Sequence, residues 1–131
     1  MNKKDHAIHN ENACEFLHKD GNYCDWVVTT AFYSALHYLQ HEIFPKNIGG
    51  KDYDTFDKYY NQHYNGIVNK PNKHKSTISL IRSELGDQIH ENYNWLFGVC
   101  MNARYRNYKT HPFIAEECIK RLQRIKSLLK K

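Results

Sequence analysis

A chain of 131 residues can close one hydrophobic core but is short for two, so it reads as a single domain over residues 1–131. Ten Tyr and two Trp stand against a modest supply of Leu, Ile and Val, which implies a core whose hydroxyls and indole nitrogens need partners. The net charge of +5 permits polyanion binding, and no run approaches the ~20 apolar residues that a membrane span requires.

The N-terminal stretch MNKKDHAIHNENACEF has no continuous apolar segment of the signal-peptide kind, so the expected location is the cytoplasm. Cys14, Cys24, Cys100 and Cys118 form no Cys-x-x-Cys pair, which suits small buried hydrophobes better than zinc or disulfide pairing.

Residues 5 to 18 predict a first helix with Ile8, Ala13, Phe16 and Leu17 inward and Asp20-Gly21 as its stop. The segment NYCDWVVTTAFYSALHYLQHEIF has the clearest periodicity. Val28, Phe32, Ala35, Leu36, Leu39 and Ile43 recur every three or four residues on one face of a long helix ended by Pro45. Ala31 and Ala35 lie one turn apart and would let a neighbouring helix approach closely.

Residues 46 to 73 predict a loop, a short helix around 54 to 63 and a second loop. A helix over 74 to 85 follows, with Ile78, Leu80, Ile81 and Leu85 apolar and Gly86 as its end. The next helix begins after Asp87, taken as its N-cap. It carries Ile89, Tyr93, Leu96, Phe97, Cys100, Met101, Tyr105 and Tyr108 on one stripe. Pro112 suits the first turn of a last helix bearing Ile114, Cys118, Leu122, Ile125 and Leu129. No strand-like alternation of useful length and no internal repeat occur, so the expected fold is all-α, an antiparallel bundle of about five helices.

Between the last two helices lies RNYKTHPF, which combines Arg106, Asn107, Tyr108, Lys109 and His111. An arginine offers a permanent bidentate donor for phosphate and a histidine exchanges a proton near neutral pH. These types, with an amide, suffice for RNA cleavage without a metal, and the same spacing equally suits a polar hinge with a His-Pro helix start. On a helical wheel Arg104 falls in the apolar sector and Arg106 roughly opposite, so Arg104 either snorkels at the helix end or opens onto a ligand or partner.

Other groups have both a functional and a simpler role open to them. His37 and His41, and likewise His6 and His9, have metal-sharing spacing, but no third ligand is evident, so no metal site or other cofactor is expected. Lys70, Lys73, His74 and Lys75 in NKPNKHK could meet an RNA backbone or form a solvated loop. Tyr59, Tyr60 and Tyr64 could stack on bases or pack a small core. No glycine-rich phosphate loop and no Ser-His-Asp order is present.

Two segments resemble the HEPN domain family. DWVVTTAFYSALHYLQ, Asp25 to Gln40, is similar to the long early helix of that family, and RNYKTH matches its hallmark of an arginine, four to six residues and a histidine, with a polar residue after the arginine. The resemblance implies a HEPN-like helical bundle that pairs as a homodimer and places two motif copies in a basic cleft. It further implies a metal-independent endoribonuclease, of the kind found among toxins and phage-defence effectors, that leaves a 2′,3′-cyclic phosphate. Arg106, Asn107 and His111 then carry catalysis, and Arg104, Tyr108, Lys109 and His37 contact substrate. A cognate antitoxin or partner protein is also implied, although Phe113 stands where antitoxin-modified relatives have a tyrosine. Arg104 with His111 fits the hallmark as well. Relatives that keep an Arg-Tyr and a later Tyr without ribonuclease function resemble Arg104, Tyr105 and Tyr108, so a non-catalytic nucleotide- or protein-binding module is the alternative.

Overall fold

A computed structural model describes residues 2–105 and 109–130. Among them are six helices and one short hairpin: α1 (Lys3–Asp20), α2 (Cys24–Ile43), β1 (Lys46–Ile48), β2 (Lys51–Tyr53), α3 (Phe56–His63), α4 (Lys73–Leu85), α5 (Asp87–Tyr105) and α6 (Pro112–Leu129). The fold is thus mainly α-helical. No helix among the described residues is long and apolar enough to cross a membrane.

Local signals set most of the boundaries. Gly21 closes α1 at φ 86°, and its N–H donates to Leu17 O. Asn2, Thr55 and Asn72 each accept a first-turn N–H, from Asp5, Lys58 and Lys75, and so start α1, α3 and α4. Asp87 departs from the expected cap role. It is the first helical residue of α5, and its carboxylate accepts from Arg82 Nε at 3.1 Å.

The hairpin replaces part of the expected loop. Lys46 pairs with Tyr53 and Ile48 with Lys51, and the intervening Gly49 and Gly50 both take positive φ, the two-residue turn that matches strand twist. Only three residues long on each side, these strands are too short to show alternation. Tyr53 is buried edge-on to Tyr59, which packs with Phe44 and Phe56, so the aromatic cluster under the hairpin fixes α3.

Helix α2 is central and packs against α1, α4, α5 and α6. Its interior face is continuous, with Val27, Val28, Ala31, Phe32, Ala35 and Leu39 all buried, and each large apolar member contributes roughly 1.5–3 kcal/mol by leaving water. Helices α1 and α2 run antiparallel: Ser34 Oγ donates to Ala7 O at 2.8 Å, while farther along Cys14 Sγ donates to Val27 O.

The inward face of α1 differs from expectation. Phe16 is 73% exposed and Ile8 39%, whereas Ala7, Glu11 and Cys14 are buried. The cause is Glu11, a charged residue that the bundle takes inside and surrounds. Its carboxylate receives Lys126 Nζ at 2.8 and 3.0 Å, Gln123 Nε2 at 2.8 Å and Tyr38 Oη at 2.7 Å. This joins α1, α2 and α6 through one anion, and a hydropathy pattern counts that position as surface. Ile114 and Tyr105, expected inward on α6 and α5, are also exposed. All four cysteines are free thiols, and Cys14, Cys100 and Cys118 are buried.

Candidate functional site

Arg106, Asn107 and Tyr108 lie outside the described residues, so the arginine, the amide and one tyrosine of the candidate motif have no assigned place. The helix ends that flank them do. Tyr105 terminates α5, and His111 starts α6.

His111 is the N-cap of α6, with Pro112 in the first turn as the His-Pro pair predicts. Its Nδ1 accepts the Phe113 N–H at 3.0 Å, which satisfies one of the amides that the helix leaves unpaired. Accepting this bond requires a lone pair on Nδ1, so the neutral ring carries its proton on Nε2 and presents a donor outward. The side chain is exposed. With Lys109, Thr110, Gly98, Val99, Asn102 and Ile114 it lines a cavity of about 270 Å³ between α5 and α6. Lys109 and Thr110 also border a second cavity, of about 320 Å³, together with Gly21, Asn22, Cys24, Asp25 and Pro112. Lys109 and Thr110 are therefore seated at the bundle end where α2 begins.

Arg104 belongs to another face. Gly98 and Asn102 border the His111 cavity, and at 100° per residue Arg104 sits roughly 120–160° around α5 from them, in line with Phe97 and Cys100. One of its guanidinium N–H groups donates to Tyr33 Oη on α2. Its Cζ lies 5.7 Å from the Tyr33 ring and 5.2 Å from the Tyr105 ring, so the cation rests between two aromatic faces. Among the described residues no carboxylate is within ion-pairing distance of Arg104, whereas Arg82 and Arg121 are paired with Asp87 and Glu117.

His74, near the start of α4, packs on Phe97, which is in line with Arg104 on α5. Its half-buried ring lies 5.0 Å from Phe97 and 6.4 Å from Phe32, and burial, followed by the positive charge of Arg104, lowers its pKa. Deeper in the junction Tyr93 is fully buried, and its hydroxyl has no hydrogen-bond partner among the described residues. Tyr33 did not stand out in the sequence as a partner of Arg104. Tyr33 is 71 positions away, and only the packing of α2 on α5 brings the two side chains together.

His37 is not brought to either group. It lies twelve residues beyond Asp25, about 18 Å along α2, and packs against His6 of α1 with ring centroids 4.8 Å apart. Burial, then the charges of Lys3 and His6, lowers its pKa to about 4, and its buried Nδ1 meets no partner among the described residues. The tyrosines of 59 to 64 take the packing role: Tyr59 and Tyr60 are buried, and Tyr60 Oη donates to Pro71 O at 2.6 Å. Lys70 and Lys73 lie over the Tyr60 ring at 5.1 and 5.9 Å, which ties NKPNKHK to α3.

The chain matches no protein-family model, no curated protein and no solved structure.

Proposed function

We propose that the protein is a metal-independent endoribonuclease of the HEPN type that acts as a homodimer on RNA. The observation that supports this most directly is the placement of His111, an exposed imidazole at the rim of a solvent-open cavity that Lys109 also lines. His37 and His74, by contrast, are half-buried and held toward the neutral form. In the proposed reaction the RNA 2′-oxygen loses its proton and attacks phosphorus. The bond from phosphorus to the 5′-oxygen breaks, that oxygen gains a proton, and a 2′,3′-cyclic phosphate remains. A neutral ring with Nδ1 in the cap can donate from Nε2 to a phosphate oxygen, but it cannot take a proton there. Proton transfer through Nε2 therefore requires the ring to release the Phe113 amide. In this reading Arg106 and Asn107 complete the site as the phosphate ligand and the positioning amide.

A direct test is incubation of purified protein with structured and single-stranded RNA in EDTA, wild type beside His111→Ala. Cleavage by the wild type alone is the expected result. An inert wild type, or an equally active variant, removes the assignment.

A second reading is favoured by a separate observation: Arg104 engages Tyr33 and Tyr105 and has no contact with His111. It describes a non-catalytic module that binds a nucleotide or protein through Arg104 and the tyrosines.

A further inference from the structure

We infer that the junction of α2, α4 and α5 is a phosphate-binding site built from Arg104, Tyr33 and His74. The inference deepens the second reading of function and is independent of whether His111 cleaves RNA.

Arg104 is a permanent cation that has no carboxylate within ion-pairing distance among the described residues, although the fold pairs Arg82 and Arg121 with acids. It is nevertheless held in place. Tyr33 Oη takes one N–H, and the Tyr33 and Tyr105 rings lie at 5.7 and 5.2 Å from its Cζ. A guanidinium has five donors in a rigid fork, so an arginine anchored by one of them retains a bidentate edge for an oxyanion. Fixing the fork beforehand removes much of the side-chain entropy that binding would otherwise cost.

The neighbours fit the same ligand. His74 supplies an imidazole N–H from a third element, with its ring position set by Phe97 at 5.0 Å. A phosphate accepts hydrogen bonds from both the fork and the imidazole. Tyr105 is 70% exposed, which leaves an aromatic face beside the fork for a ring attached to the phosphate.

The test follows the imidazole signals of all nine histidines by NMR as inorganic phosphate is added at constant ionic strength, with acetate as the control anion. The site predicts a saturable shift centred on His74 and the Arg104 Nε–H, weaker or absent with acetate. Arg104→Gln should weaken binding roughly tenfold or more, since it removes a charge-assisted pair. Tyr33→Phe keeps the ring but frees the fork, and should weaken binding severalfold. An unchanged His111 signal in each variant shows that the fold is retained. Saturable shifts at His111 alone, non-saturable drift at every histidine, or full affinity in Arg104→Gln would each overturn the site. Cleavage lost in His111→Ala while phosphate still moves His74 separates this site from the ribonuclease reading, and the converse result does so as well.

Discussion

The Nδ1 of His111 accepts the backbone N–H of Phe113 at 3.0 Å, so the same imidazole that could handle a proton also holds the first turn of α6. The two roles use different chemistry and can be separated. His111→Ala removes both and should cost about 0.5–1 kcal/mol of stability together with RNA cleavage. Asparagine is a strong N-cap but cannot transfer a proton, so His111→Asn should restore the melting temperature without restoring cleavage. Thermal denaturation and the EDTA cleavage assay read the two effects. If His111→Asn cuts RNA at the wild-type rate, His111 is a cap and nothing more.

The Glu11 cluster should dominate acid stability. Burial alone would raise its carboxyl pKa, but the bonds from Lys126, Tyr38 and Gln123 and the charge of Lys126 outweigh burial and lower it below 4.5. A lowered folded value means that this stabilisation is complete above the unfolded value and is lost as pH falls through the folded one. Glu11→Ala leaves Lys126 without its carboxylate and should cost about 2–4 kcal/mol in urea unfolding near neutral pH. A loss below ~0.5 kcal/mol would show that the cluster is peripheral to stability.

His37 acts in a different pH window. Its value falls from 6.5 unfolded to about 4 folded, so its contribution is complete above 6.5 and is lost progressively as pH falls toward 4. His74 shifts in the same direction. Allowing for partial exposure, His37 should account for roughly 1–2 kcal/mol of the stability difference between about pH 7 and about pH 5. His37→Leu should flatten that slope, and an unaltered slope would show that the burial of His37 has no titration consequence.

Close packing of α2 supplies a steric test. Ala35 is fully buried on the helix that touches four others. Ala35→Leu adds three carbons to a filled space and should destabilise by about 1–3 kcal/mol, read as a lower urea midpoint with unchanged slope. An unchanged midpoint would mean that the helices have room to separate there.

The sequence by itself determined the helices of this protein and most of their ends, because capping side chains, Gly21, Gly86, Pro45 and Pro112 act within one turn of the residues they stop or start. It also marked the segment 104 to 111 as chemically unusual and set Arg104 in the apolar sector of its helix. Tertiary structure decided what periodicity has no means to encode. Glu11 turned inward because Lys126 and Gln123 arrive from the far end of the chain, and Phe16 was left in solvent as a result. Arg104 met Tyr33 rather than His111 because α5 presents opposite faces to α2 and to the His111 cavity. Charge compensation and the meeting of side chains from distant segments are properties of packed helices, and a one-dimensional pattern carries only the faces that those helices bring.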